Sequence, residues 1–361
     1  MSGGRVAVVF GTRPEMIKLA PLIKLLGEKA KLIHTGQHFD RSLSSQILDD
    51  LDLSEPTLNL GVGGKTRAEQ IGSVLLEIED ELADVSGVVV QGDTNSALAG
   101  GLAANALELP LFHVEAGLRS FDRRMPEEHN RVVVDHLADV CWAPTDVNVQ
   151  NLRDEGIADA RVEKTGNSIV EALRNIVPDQ EVADEVLGKH GVSRRDFVIV
   201  TLHRPENVDA PDRLAAILEG LGQLDLPVVL PIHPRTLSTV RKHSLEDKLT
   251  PLRIIEPTAY AEFLCLLANS AVAISDSGGV QEEVSLVKVP LVVVRRSTER
   301  PEVLGTFAWL TDDPEEMVRL AQKALDGGRD LLEGLADVPT PYGDGTASER
   351  MHSSLRAFGV I

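Results

Sequence analysis

The sequence predicts an α/β protein of two doubly wound, Rossmann-like domains facing a central cleft. Three observations predict it. Short apolar runs rich in β-branched residues alternate with longer stretches of helical spacing along almost the whole chain. Runs that are apolar at every position fit parallel strands covered on both faces. The scheme restarts near Gly166-Asn167-Ser168, so one βα pattern is written twice in 361 residues, a length that suits two domains.

The elements follow in order. The first strand, Val6–Phe10, runs into Gly11-Thr12-Arg13-Pro14-Glu15. Thr12 and Glu15 have the spacing of a capping box, and Pro14 falls in the first turn, where proline is tolerated. Arg13 and Lys18 put two cations at a helix start that already favours anions, so a phosphorylated ligand is expected there. Further strands are expected at Lys31–His34, Gly87–Val90 and Leu111–Val114. After the restart they are expected at Phe197–Thr201, Val228–Pro231, Leu252–Ile255, Ala271–Ile274 and Leu291–Val294. Helices such as Arg213–Leu221, Tyr260–Ala268 and Glu315–Leu325 fall between them. The halves echo each other: the strands ending at Val90 and at Ile274 both lead into a small, polar helix entry. The first domain is thus expected over 1–168 and the second over 169–345. Thr346–Phe358, with helical spacing, is expected to cross back onto the first.

Composition narrows the function. The net charge of -20, from 56 acidic against 36 basic residues, argues against nucleic acid, whose phosphates need a basic surface. Only 11 of the bases are Lys, and an acid-rich, Lys-poor surface suits a high-salt cytoplasm. Cys141 and Cys265 lie in apolar stretches without metal-ligand spacing and read as buried thiols of a reducing, cytoplasmic compartment. The N-terminus is a short polar lead into a strand, unlike a signal peptide, and no apolar run approaches membrane-spanning length. Gly61-Val62-Gly63-Gly64-Lys65-Thr66 ends like a P-loop, but Asn59 stands where the first glycine is required. No strand is followed by Gly-x-Gly-x-x-Gly, so no dinucleotide cofactor is expected.

Chemistry-bearing residues cluster after the apolar strands, where open α/β sheets place ligand contacts. The clusters are Gln91-Gly92-Asp93-Thr94, His113-Val114-Glu115-Ala116-Gly117-Leu118-Arg119, Pro126-Glu127-Glu128-His129-Asn130-Arg131 and Thr201-Leu202-His203-Arg204-Pro205-Glu206-Asn207. Carboxylates at strand ends are costly unless paired or protonated, and several together can divide acid and base roles. Each has a plainer explanation. Asp93 could cap a helix, and one of Glu127 and Glu128 could simply complement a helix dipole. His203 and His233 could be structural, which is the better explanation for His233. Ser277-Gly278-Gly279, followed by Gln281-Glu282-Glu283, offers backbone N–H groups to phosphates at a helix start, with Glu283 placed for ribose hydroxyls. Phe263 could stack on a base, although core packing is the commoner fate of such a residue.

Gly11-Thr12-Arg13-Pro14-Glu15 with Lys18, joined by these clusters and the tail Pro341-Tyr342-Gly343-Asp344-Gly345, resembles the non-hydrolysing UDP-N-acetylglucosamine 2-epimerases in order and spacing over nearly the whole chain. The resemblance implies the GT-B architecture and reversible interconversion of UDP-GlcNAc and UDP-ManNAc. The route is anti elimination of UDP and re-addition through a 2-acetamidoglucal, with no metal or redox cofactor. It implies Asp93, Glu115 and Glu127 as acid/base residues and His203 at the diphosphate or leaving oxygen. Arg13, Lys18 and Arg300 would contact phosphates or sugar. Ser277, Gly278 and Gly279 would hold the diphosphate, Glu283 the ribose and Phe263 the uracil. It also implies a homodimer. Gln37, His38 and Gln70 partly match a region where some bacterial members bind UDP-GlcNAc as an activator, although Phe39-Asp40 departs from the pattern. The competing functions are a GT-B glycosyltransferase, which would need an acceptor groove, and a non-catalytic UDP-sugar sensor.

Overall fold

The computed structural model describes residues 4–37, 48, 51, 53–174, 176 and 180–361. The chain divides into two compact units, Met1–Ala172 with Tyr342–Ile361, and Leu173–Pro341. Each is a wholly parallel α/β sheet, the two-domain GT-B class that the sequence predicts.

Among its described residues the first unit has seven strands: β1 (Arg5–Phe10), β2 (Ala30–His34), β3 (Leu58–Asn59), β4 (Val85–Gln91), β5 (Leu111–Val114), β6 (Val140–Ala143) and β7 (Val162–Lys164). Their order across the sheet is β3-β2-β1-β4-β5-β6-β7. The order reverses between β1 and β4, the point where such sheets bind ligands beyond their C-terminal ends. Val6 to Phe10 are fully buried, as a doubly covered strand requires. The helix Asn95–Ala106 is rich in alanine and glycine because it lies close on the reversal point. A Cβ on Gly100 would stand 3.0 Å from Val90 and 3.2 Å from Val9. Close seating of this helix sets the height of the Asp93-Thr94 turn that precedes it.

Helix starts differ from expectation in an instructive way. Thr12 makes no side-chain cap for the helix Arg13–Leu26. Instead its Oγ1 and the Gly11 N–H both donate to Glu15 Oε2, at 2.7 and 3.0 Å, so only the glutamate half of the box forms. A complete box stands at Thr66 and Glu69, opening the helix Arg67–Leu82. The Gly-Lys-Thr that imitates a P-loop is therefore a helix cap.

The C-terminal helix Ala347–Phe358 belongs to the first unit. Trp142 Nε1 on β6 donates to Ser354 Oγ at 3.1 Å, and the Phe358 ring meets Phe112 on β5 edge-on at 5.3 Å.

The second unit has six strands: β8 (Val198–Thr201), β9 (Val228–Pro231), β10 (Arg253–Ile255), β11 (Val272–Ser275), β12 (Leu291–Val294) and β13 (Ala308–Thr311). The order β10-β9-β8-β11-β12-β13 reverses between β8 and β11. Beyond the expected Glu315–Leu325, the last helix runs over Pro314–Ala336 and kinks at Gly328. β3, β6, β7 and β13 are absent from the sequence expectation. No helix among the described residues is long and apolar enough to cross a membrane.

Candidate active site

In the first unit Glu115 lies at the end of β5, beside β4, which ends just before Asp93. Glu115 is 5% exposed and left-handed at φ +64°, a conformation that costs a non-glycine residue of order 1–3 kcal/mol. Its carboxylate receives Lys18 Nζ at 2.5 Å, Asn167 Nδ2 at 2.9 Å and the Gln91 side-chain amide. Lys18 is therefore a buried partner of Glu115, where the sequence suggested a cation facing a phosphate. The side chain is 6% exposed and points inward from the helix Arg13–Leu26. Arg13 is partly exposed at the start of that helix.

Asp93 is not a helix cap: Thr94 takes that position, its Oγ1 accepting from the Ala97 N–H at 3.0 Å. Asp93 is half-buried and held by Arg131 through Nε at 2.9 Å and Nη2 at 2.5 Å. Arg131 also pairs with Glu128 at 2.5 Å. The two first-turn glutamates thus separate cleanly. Glu128 is buried and accepts from the Ser120 N–H at 3.0 Å and the Phe121 N–H at 2.8 Å. Burial raises its carboxyl, but those donors and Arg131 outweigh it and hold it below the usual range. Glu127 is exposed on the same turn.

Glu15 behaves oppositely. Burial pushes its carboxyl up to about 7, only partly offset by Thr12, Thr94 and Gly11. Thr94 Oγ1 donates to it at 2.8 Å, so the ends of β1 and β4 are tied through one weakly ionised group.

The residues matching an activator region converge on the first turn of the helix Asn95–Ala106. Gln37 Oε1 accepts from the Ser96 N–H at 3.1 Å, and Gln70 Oε1 accepts from Asn95 Nδ2 at 2.7 Å. Asn130 Nδ2 donates to the Asp93 carbonyl at 2.8 Å. His38, Phe39 and Asp40 lie outside the described residues.

In the second unit His203 follows β8, and its Nδ1 is 3.0 Å from Asp276 Oδ1 at the end of the adjacent β11. Asp276 is fully buried and also accepts from the Arg204 N–H and Asn207 Nδ2, each at 3.0 Å. Burial raises its carboxyl, but the bond and charge of His203, with Asn207 and the Arg204 N–H, outweigh that and hold it low. A fixed anion on Nδ1 turns Nε2 of the 47% exposed imidazole outward. Asp276 is a site residue that sequence reasoning passes over. The signal was present in Ser275-Asp276-Ser277, a charge directly after an apolar strand. His233 is exposed and caps the helix Pro234–Lys242 through Nδ1, which accepts from the Arg235 N–H at 3.2 Å.

Ser277 precedes the helix Gly278–Val287, whose first amides have no intrahelical acceptor. A Cβ on Gly278 would fall 2.7 Å from Glu299 Oε1 and 3.5 Å from Arg300 Nη1, so a larger residue here would have to displace the Glu299 carboxylate. Arg300 is 7% exposed and given to Glu282 at 2.6 Å and Glu299 at 3.0 Å. Its charge is matched by carboxylates beside the turn, where the sequence suggested a phosphate or sugar contact. Glu283 is buried and accepts from Tyr260 Oη at 2.7 Å. Phe263 is half-buried on the helix Tyr260–Asn269.

A family model described as UDP-N-acetylglucosamine 2-epimerase matches residues 26–356. A UDP-N-acetylglucosamine 2-epimerase of Methanocaldococcus jannaschii is 40% identical over 96% of this chain and 97% of its own. A UDP-2,3-diacetamido-2,3-dideoxy-D-glucuronate 2-epimerase of Pseudomonas aeruginosa is 36% identical over 97% of this chain and 99% of its own. The crystal structure of the M. jannaschii enzyme in complex with UDP-GlcNAc and UDP superposes with a TM-score of 0.86 at 39% identity. It covers 98% of this chain and 99% of that one.

Proposed function

The chain belongs to the UDP-N-acetylglucosamine 2-epimerase family, and on that premise we propose that it interconverts UDP-GlcNAc and UDP-ManNAc without hydrolysing them. The observation that carries the proposal is Glu115, a buried, strained carboxylate with three polar donors, at the end of β5 beside β4, which ends just before Asp93. Backbone strain retained at a charged strand end is a mark of function rather than of stability.

In this reading a carboxylate among Asp93, Glu115 and Glu127 takes the C2 proton of the sugar. The C2–H electron pair forms the C1=C2 double bond, and the C1–O bond breaks with its pair leaving on UDP. A second carboxylate returns a proton to the opposite face of C2 as UDP adds back to C1. C2–H is weakly acidic, so proton removal is assisted by concerted departure of the leaving group. We assign Arg13, the outward Nε2 of His203 and the amides of Ser277, Gly278 and Gly279 to the charge that develops on UDP. Glu283 is assigned to the ribose and Phe263 to the uracil. Lys18 is assigned to holding Glu115, and Arg300 to holding the glycine turn. Gln37, His38 and Gln70 are assigned to a second UDP-GlcNAc, which a sigmoidal rate dependence on UDP-GlcNAc tests. The family resemblance adds a homodimer.

The test is proton NMR of the protein with UDP-GlcNAc in D2O. UDP-ManNAc with deuterium at C2 of both sugars is the expected result. Free ManNAc with UDP means hydrolysis, and release of UDP only when an acceptor is present means a transferase. Because one relative is named for a diacetamido-glucuronate substrate, that sugar nucleotide is the second substrate to offer.

A further inference from the structure

We propose that His113 is a positioning residue whose doubly protonated imidazole clamps together the three elements that carry Asp93, Glu115 and Glu127. Its catalytic consequence rests on the epimerase reading above, whereas the state of the ring does not.

His113 sits on β5, two residues before Glu115, and is fully buried. Its Nδ1 is 2.6 Å from Asp135 Oδ1, and its Nε2 is 2.8 Å from the carbonyl oxygen of Gly92. A carbonyl only accepts, so Nε2 carries a hydrogen. Asp135 is itself fully buried, accepts the Gly117 N–H at 3.1 Å and pairs with Arg119 at 2.7 Å. Those donors mark an ionised carboxylate, so Nδ1 carries a hydrogen too. A neutral ring would point a lone pair at an acceptor oxygen in a fully buried site. Charge balance agrees. The two cations His113 and Arg119 face two anions, Asp135 and Glu155, the latter held by Arg119 at 2.7 and 2.6 Å.

Each bond leads to a different carrier. Gly92 directly precedes Asp93. The Gly117 N–H bonded to Asp135 belongs to the turn that keeps Glu115 left-handed. Asp135 lies on the helix Pro126–Leu137, whose first turn bears Glu127. A strained conformation persists only where its surroundings over-determine it, and this cluster supplies that constraint. No other residue in the described cluster bonds to both the β4 turn and that helix through one ring.

The experiment uses the whole protein with nitrogen-15-labelled histidine, the His113 signals being assigned by their loss in His113→Gln. Both ring nitrogens are expected to show one-bond N–H couplings at neutral pH. An unprotonated Nδ1 or Nε2 overturns the clamp. In turnover, His113→Gln and Asp135→Asn are expected to lower kcat by about tenfold to a hundredfold, the usual effect of losing an outer partner of a reacting group. KM for UDP-GlcNAc and affinity for UDP are expected to stay unchanged. Wild-type kcat in both variants overturns the proposal, as does loss of UDP affinity in step with kcat, which is the mark of a merely structural histidine. Wild-type protein that shows both couplings yet makes no UDP-ManNAc supports the clamp and overturns the epimerase reading, so the two fail separately.

Discussion

Lys18 and Glu115, 97 positions apart in the sequence, meet at 2.5 Å inside the first unit, with side chains 6% and 4% exposed. Such a pair does not stabilise by attraction alone, because both charges have been taken out of water. Its significance is that removing either partner takes this counterion away from a charge that stays buried.

Lys18→Met is therefore expected to destabilise the protein by about 3–5 kcal/mol, the usual consequence of breaking a buried pair. The double variant Lys18→Met with Glu115→Gln is expected to recover most of that stability and none of the activity. Urea unfolding of the single and double variants checks this. An unshifted midpoint for Lys18→Met would mean that Glu115 does not need its cation.

Glu15 supplies a pH signature. Burial raises its carboxyl from the ordinary 4.5 to about 7, so between these values the folded chain holds the proton more tightly than the unfolded one. Its contribution to stability is greatest below that window, declines as pH rises through it and levels off above, by about 3 kcal/mol at most. Glu15→Gln has no charge to bury, so it is expected to gain on wild type as pH climbs. Melting both proteins at about pH 5 and about pH 8 measures this. A constant difference between them would show Glu15 in one charge state at both values.

The neighbouring glutamates should respond in opposite currencies. Glu128→Gln turns one of the two oxygens that accept backbone N–H groups into a donor and removes the charge paired with Arg131, and is expected to cost about 2–4 kcal/mol. Glu127→Gln alters an exposed side chain, so its stability is expected within about 0.5 kcal/mol of wild type. Its kcat is expected to fall by about a hundredfold, as for a lost general acid or base. Comparison of Tm and kcat for the two variants decides it, and full activity in Glu127→Gln removes that residue from the reaction.

Asp276→Asn tests the His203 arrangement. The amide keeps the volume but removes the anion that fixes Nδ1, so kcat is expected to fall by about a hundredfold or more. UDP binding by calorimetry is expected to change far less. Equal losses in both would make Asp276 a structural support for the turn and nothing more.

The parts legible in the sequence were those written locally. β1, β4, β8 and β12 each carry a continuous apolar run and β5 is interrupted only by His113, so all five can be read directly. β6 is only Val-Cys-Trp-Ala, with one β-branched residue, and β7 at the sheet edge is a single apolar residue followed by two charges. Neither carries the repeated signal that marks a buried strand. At the site, Asp93, Glu115 and His203 stand out because charge follows apolar strand. The pairings that join them to Lys18, Arg131, Asn167 and Asp276 do not, because pairing across a sheet leaves no spacing to read. Lys18 illustrates the limit: helix position suggested an anion outside the protein, whereas the anion was Glu115.

Returning Tyr342–Ile361 to the first unit makes Leu173–Pro341 an insertion within it. On the ribosome the interrupted unit cannot close until its last helix has emerged, while the inserted one is contiguous and can finish first. Until then Trp142 lacks Ser354, and Phe112 lacks the ring of Phe358. That helix thus caps an apolar surface that was made about two hundred residues earlier, the separation of Trp142 and Ser354 being 212. A chain that stops short of that helix would meet the cell's quality control with the surface around Phe112 and Trp142 still unsealed.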